Sequence, residues 1–295
     1  MLGNFDLHIH TTASDGSDTP RELAGKITGL RLFSVTDHDT IEGALAMESL
    51  VPEGVRYLRG VEFSCITLAG KCHILGYNYD PDCPQFRAAL DEGRQLRLDK
   101  LRRRLDRLKT EFGIELTEAE LLGLQNQNSP GKPHLGRILV DRGLASNLDE
   151  AIGRYLKKDP PGRDRIEAKT AIDAILAAGG FPVWAHPLGG EGEKRLTIEK
   201  FEGLFDHLLH CGIRGLECRY SRYGREEREF LLARASSAGL VPTGGSDYHG
   251  INKPGLKLGC LGTDDGEFSI DTDQLFGIIL QKECLSDRPL SRRTP

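Results

Sequence analysis

The sequence predicts an α/β fold, read as a barrel of seven strands interrupted by an inserted, mainly helical subdomain. Three observations carry this. Short β-branched or apolar runs alternate with helical patterns, as in parallel strands joined by crossover helices. The 295 residues lie within the range of a single α/β barrel. Between the fourth and fifth runs the alternation stops and then resumes. With 38% hydrophobic and 28% charged residues, and no apolar run near the roughly twenty residues of a membrane span, the composition excludes membrane-spanning and disordered classes. The N-terminus carries no basic region followed by an apolar stretch, so no signal peptide is expected and the cytoplasm is the expected compartment.

Taken in order, strands are expected near 5–9, 32–36, 56–62, 72–77, 182–185, 214–218 and 241–244. The interruption opens with one long, very basic helix from Phe86 to Phe112, followed over 113–165 by short helices and loops rich in Gly, Pro, Asn and Gln. Helices resume at 167–178, 197–211 and 224–238, each ahead of a strand. The expected division is a barrel body of 1–83 and 166–285, an insertion of 84–165, and a frayed tail over 286–295. No internal repeat is visible. Seven cysteines, an odd number with no C-x-x-C spacing, fit neither a disulfide framework nor a zinc knuckle and read as reduced fillers. The net charge of −5 hides an asymmetry: Arg94–Arg165 holds 16 Lys/Arg against 11 Asp/Glu, leaving −10 on the rest. A basic insertion on an acidic body suits an anionic substrate, although a solvated helix face has the same composition.

The histidines carry the chemistry. Six of nine fall at or just past the expected C-terminal end of a strand: His8, His10, His38, His73, His186 and His249. In an α/β barrel that end is where active sites sit. D-L-H-I-H puts His8 and His10 two residues apart, on one face of an extended chain. Asp15 follows in a Ser-Asp-Gly turn, Glu62 ends G-V-E, and Asp247 lies in G-S-D-Y-H-G. Nine such side chains exceed what one ion can take, and a carboxylate among them can bridge, so two to three divalent metals are expected. Imidazole and carboxylate without thiolate favours manganese, iron or zinc over calcium alone or a Cys-type zinc site. His207 and His210, on an amphipathic helix, read as ordinary residues, and Cys72 points to the core face of its strand.

In order, D-L-H-I-H-T-T-A-S-D-G, T-D-H-D-T, G-V-E-F-S, H-I-L-G-Y, A-H-P and G-S-D-Y-H-G resemble the polymerase and histidinol phosphatase (PHP) family, from Asp6 to about Gly250. The resemblance implies a distorted seven-stranded (β/α) barrel with a trinuclear metal site. It places His8, His10, Glu62 and Asp247 on a first metal, and Glu62 bridging to a second held by His73 and His186. Asp15, His38 and His249 would hold the third. The insertion and the run K-P-H-L-G-R-I-L-V (Lys132–Val140) resemble the branch that removes phosphate from nucleoside 3′,5′-bisphosphates and trims short RNA from its 5′ end. The insertion would then be a lid that brings His134, Lys132 and Arg137 over the metals. Arg219 and Arg222, just past the sixth strand, suit a second phosphate, because a guanidinium fork matches phosphate oxygens.

The reaction implied is metal-dependent hydrolysis of a phosphate ester by a metal-bridging hydroxide, with Glu62, Asp247 and His134 in catalytic roles. The general acid is left open between His134 and a metal-bound water. No G-x-S-x-G elbow or P-loop offers another chemistry. Histidinol-phosphate phosphatase is an alternative, disfavoured because an ammonium substrate wants acidic residues where this lid is basic. A non-catalytic metal-binding accessory module is a further alternative, disfavoured because no ligand position is lost. Expected partners are a phosphorylated small molecule or short oligonucleotide, with no duplex nucleic acid and no membrane.

Overall fold

A computed structural model describes residues 1–281 apart from 126, 128, 159, 160 and 191–193. The tail expected to fray from Ser286 lies outside the described residues. β1 (Leu2–Gly3) leads into β2 (Phe5–Ile9), α1 (Pro20–Lys26), β3 (Leu32–Val35), α2 (Glu42–Glu48), β4 (Arg56–Thr67) and β5 (Gly70–Tyr77). The interruption follows as α3 (Pro84–Phe112), α4 (Glu118–Gln125), α5 (Lys132–Asp141) and α6 (Leu148–Ala151), which continues as a π turn over Ile152–Leu156. Then come β6 (Ile166–Glu167), α7 (Ala168–Ala177), β7 (Phe181–Trp184), α8 (Ile198–Cys211), β8 (Gly215–Tyr220), α9 (Arg225–Ala238), β9 (Val241–Gly245), β10 (Glu267–Phe268) and α10 (Thr272–Leu280). No described helix is long and apolar enough to cross a membrane.

Seven strands curl in the order β2-β3-β4-β5-β7-β8-β9, with β6 beside β4 and β1 paired to β10. The barrel nearly closes. The amide of Asp247 donates to the carbonyl of His8 at 2.8 Å, and that of His10 to Tyr248 at 2.9 Å. The seam between first and last strands is therefore stitched just beyond β9, by site-bearing segments. Gly245 makes the close approach possible, since a Cβ there would sit 2.2 Å from the Cβ of His8.

One expectation is corrected. The strands are not all parallel: β4 runs on to Thr67, turns through Leu68 and Ala69, and pairs antiparallel with β5, which pairs antiparallel with β7. A two-residue link allows nothing else, because a parallel return needs a crossover of about a dozen residues. His73 consequently lies in the first half of β5 rather than at its C-terminal end. The reversal brings that half to the same rim as the other imidazoles, opposite Ser64 in register.

Alternation sorts the strands into an inner and an outer face. Val61, Phe63, Cys65, Cys72, Ile74 and Trp184 pack outward against α7 and α8, in one cluster with Ile172, Ile175, Phe201 and Phe205. Cys72 is thus core, and burial pushes its thiol up to about 12. Leu75, Tyr77 and Val183 fill the inside with Phe5 and Leu7. A register shift between Asp6 and Ile9 lets Leu7 floor the interior while its neighbour His8 joins the rim, something strict alternation forbids.

α3 is 29 residues long, about 43 Å at 1.5 Å per residue. Pro84 at its first turn starts it, and Gly113 in the left-handed region (φ 67°) ends it. Its first half docks on the barrel, where Phe86 stacks on Tyr79 with ring centroids 4.2 Å apart. Its second half gives Leu101 and Leu108 to a separate cluster with Leu124, Leu135, Leu139, Ala151 and Tyr155.

Candidate metal centre

Each strand end or following turn delivers its residue for a local reason. The turn after β3 keeps pairing with β4: Asp39 N–H donates to Glu62 O at 2.9 Å and Glu62 N–H to Asp37 O at 3.1 Å. His38 is thereby held beside Glu62. The buried carboxylate of Asp37 accepts from Thr11 N–H (2.8 Å), Thr11 Oγ1 (2.7 Å) and Ser14 Oγ (2.6 Å), which fixes the turn that carries Asp15. His186 (φ 29°) and Asp247 (φ 57°) sit in the left-handed region. Such backbone is costly for non-glycine residues and clusters at functional sites.

The structure brings together all nine residues expected at the rim. Glu62 lies fully buried at the centre. Its Oε2 is 3.3 Å from His8 Nε2, 3.2 Å from His10 Nε2 and 2.9 Å from His38 Nδ1. Its Oε1 is 2.9 Å from His73 Nδ1 and 3.1 Å from His186 Nε2. Asp247 Oδ1 faces His10 Nε2 at 3.3 Å and His8 Nε2 at 3.6 Å. Asp15 Oδ1 is 3.2 Å from His249 Nε2, and Asp15 Oδ2 is 3.9 Å from His38 Nε2. Three overlapping sets are close enough to hold an ion: His10, Asp15, His38 and His249; His8, His10 and Glu62; and His38, Glu62 and His73. His10 and His38 fall in two sets each, so the ring-to-ion pairing is less cleanly divided than the resemblance implies.

Whether these residues fit metals is decided by their unsatisfied atoms. His8 Nε2, His10 Nε2, His38 Nδ1, His249 Nε2 and Glu62 Oε2 are buried with no hydrogen-bond partner. Buried polar groups in folded proteins are as a rule paired, and a cluster of orphans aimed at one point is costly unless something fills it. His8 donates from Nδ1 to Glu217 Oε1 (3.0 Å) and His249 from Nδ1 to Asp247 O (2.7 Å), which turns both Nε2 lone pairs toward the carboxylates. A carboxylate or carbonyl behind the far ring nitrogen is how metal-ligating imidazoles are oriented.

The charges agree. Burial alone would raise Glu62, but the imidazoles of His38, His73 and His8 hold it well below the usual carboxylate range. Burial brings His73 down to about 3, and burial with Lys253 and His10 brings His249 down to about 4. Neutral imidazole is the form that ligates. Burial pulls His10 down as well, yet Asp247 and Glu62 outweigh it and raise that ring to about 9, a sign of how strongly the carboxylates attract positive charge.

Of the expected substrate residues, Lys132, His134 and Arg137 lie on α5. His134 and Arg137 line a cavity of about 240 Å³ with Thr12, Ser17 and Asn252. Arg137 donates to Asn252 Oδ1, and Asn252 Nδ2 to the backbone of Asp15 (2.8 Å). Arg222 lies along the loop at Gly255. Arg219 is a correction: its guanidinium stacks 3.6 Å over the ring of Phe268 in β10, outside the imidazole cluster. A register shift between Glu217 and Arg219 is the reason. Glu217 faces inward, the bulge reverses the alternation, and Tyr220 rather than Arg219 returns to the rim, donating to Asp247 Oδ2 at 2.9 Å.

The sequence reading also missed four residues. Glu217 accepts from His8 and, through Oε2, from the amide of His186 at 2.6 Å. Its inward place on β8 is visible from alternation, but no histidine motif marks it. Lys253, three residues past G-S-D-Y-H-G, reaches Asp247 Oδ2 at 3.2 Å. Arg97 in mid-α3 meets Asp39 Oδ2 (2.5 Å) and Ser64 Oγ (2.7 Å). Asp37, inside T-D-H-D, ties two turns together.

A barrel rim that sets six imidazoles and three carboxylates around unsatisfied lone pairs defines a metal-dependent hydrolase. The chain is 31% identical over 264 residues to a 5′-3′ exoribonuclease of Haemophilus influenzae, covering 84% of this chain and 91% of that one. It is 29% identical over 272 residues to a 3′,5′-nucleoside bisphosphate phosphatase of Chromobacterium violaceum, covering 88% and 91%. Among solved structures, a protein of Bifidobacterium adolescentis assigned as a metal-dependent phosphoesterase superposes with a TM-score of 0.78 at 30% identity, over 96% of this chain and 97% of that one. No family model matches the sequence. The chain belongs to the PHP family of metal-dependent phosphoesterases, and is a hydrolase of phosphate esters.

Proposed function

We propose that the enzyme removes phosphate from nucleotides, taking nucleoside 3′,5′-bisphosphates or 5′-phosphorylated short oligoribonucleotides. The observation that carries the reading is the convergence of unsatisfied lone pairs on Glu62, beside a cavity walled by the basic helix α5. Two to three divalent ions fit: His8, His10, Glu62 and Asp247 would hold one, Glu62 with His73 and His186 a second, and Asp15, His38 and His249 a third. Manganese, iron or zinc suit these donors. Bound there, they supply Lewis-acid charge for the phosphate oxygens and acidify water enough to attack at neutral pH.

The chain's own residues position and exclude. Glu217 fixes the rings of the first two sets through His8 and the His186 backbone. The substrate's reacting group reaches the cluster where His38 and His73 are partly exposed. The insertion acts as a lid. On it, His134 accepts the Gly131 N–H at Nδ1 (3.0 Å). Burial lowers its pKa against the pull of Asp15, with Arg97 and Arg137 adding to the lowering, so the ring favours its neutral form, and with Nδ1 accepting, that form carries its proton on Nε2. His134 thus serves as a hydrogen-bond donor to a phosphate or leaving oxygen. Lys132, Arg137 and Arg222 supply charge for the non-scissile phosphate.

The test is a side-by-side assay of the manganese-loaded protein on adenosine 3′,5′-bisphosphate, a 5′-phosphorylated short RNA and histidinol phosphate. Phosphate or nucleotide release from the first two is expected. Preferential turnover of histidinol phosphate, or none of any substrate, would overturn the reading.

A further inference from the structure

The lid residues crowd one flank of the rim, between α5 and the turn at Asp15. On the other flank, past His73 and His186, opens a cleft of about 390 Å³, within the ~300–1,000 Å³ of ligand pockets. Lys71, Arg165, Lys194 and Lys200 line it over a floor that includes Trp184 and Leu204, and no carboxylate is among its described lining residues. Lys71 and Lys200 are exposed, and Lys71 stands 3.8 Å from Asp164. Arg165 donates from Nη1 to Cys72 O at a long 3.5 Å, while its Nε is buried with no partner. A guanidinium held this way, with a donor unused beside two imidazoles of the centre, is poised for an acceptor supplied from outside.

Resting on the nucleotide reading above, we infer that this cleft is a subsite for the sugar-phosphate extension of the substrate, the phosphates beyond the scissile one in a short single strand. Charge decides the class. The rim takes the scissile phosphate and the lid flank has cations for one more, so four further cations without a carboxylate among the described lining residues exceed what a mononucleotide needs. A cationic wall over an apolar floor is how single strands are gripped without regard to sequence.

The experiment measures binding of a trinucleotide with phosphorothioate linkages and a 3′ fluorophore to the metal-loaded, full-length enzyme. Fluorescence anisotropy is read across a salt series for wild type, Lys71→Ala/Lys200→Ala and Lys71→Arg/Lys200→Arg. The alanine pair should lose about tenfold or more in affinity. Its salt slope should shrink by up to about 1.4, at ~0.7 per phosphate contact on a single strand. The arginine pair should stay near wild type, which separates lost charge from a damaged fold. The ratio of kcat/KM for the unmodified trinucleotide to that for nitrophenyl phosphate should fall about tenfold in the alanine pair. Unchanged affinity and slope, equal losses on both substrates, or no binding by wild type would overturn the subsite. If wild type binds the strand through these lysines yet hydrolyses no nucleotide, the catalytic reading fails and the subsite stands. If it hydrolyses nucleotides and the alanine pair binds like wild type, the subsite alone fails.

Discussion

Glu217 acts twice at the rim, because one carboxylate orients the ring of His8 and pins the strained backbone of His186. Partners in that position typically cost 10–100-fold in metal affinity when lost. Glu217→Gln keeps the shape but must present its NH₂ to one of two donors, so metal affinity should fall by about that range with the fold intact, as read by competition titration against a chelator. A variant binding metal like wild type would remove the orienting role. Arg219 makes the opposite case. Stacked on Phe268, it contributes about 0.5–2 kcal/mol of cation–π contact to the fold. Arg219→Ala should therefore lower the unfolding midpoint while changing kcat/KM equally on a bisphosphate and a monophosphate; a loss confined to the bisphosphate would return the arginine to the site.

At the level of elements, α4 is tied to the end of α5 by Glu120, which accepts from Arg142 and caps its own helix through Thr117. The Arg142 hydrogen bond, then the Thr117 ones, bring that carboxyl down to about 2 despite some burial. A depressed folded-state pKa means stability present above the unfolded value of about 4.5 and lost as the pH falls toward 2. Glu120→Gln should thus lower the melting temperature at pH 7 and converge on wild type near pH 2, a modest effect because the pair is near the surface. A constant gap across that window would exclude the linkage. Elements were mostly legible in the sequence: the alternating runs placed seven strands within a few residues, and Phe86–Phe112 became α3. Direction was not, since periodicity is blind to it. The clue lies in the link: a β4 ending at 62 leaves room for a crossover, whereas β4 running to Thr67 leaves only a two-residue turn. Bulges were equally hidden, and they decide that His8 faces in and Arg219 does not. All nine rim residues were named because imidazoles recur at strand ends, whereas Glu217 and Lys253 act through those residues and carry no spacing of their own.

On the scale of the whole molecule, the barrel and the metal centre share one seam. The amides of Asp247 and His10 that close it belong to residues of the candidate metal centre, with Tyr220 and Lys253 gathered behind Asp247. Removing the ions would take away the charge that ties His8 and His10 to Asp247 across that join and leave a ring proton as the weaker substitute, which loosens the seam. Occupancy at the rim should therefore be audible in the backbone. After chelation, deuterium should enter the amides of His10 and Asp247 markedly faster, while the β4–β5 hairpin amides keep their protection; uniform change, or none, would detach the seam from the ions. The same coupling gives the apo-protein a natural weak line, so that limited proteolysis, aggregation and slow refolding in metal-poor medium would all begin where the first strand meets the last.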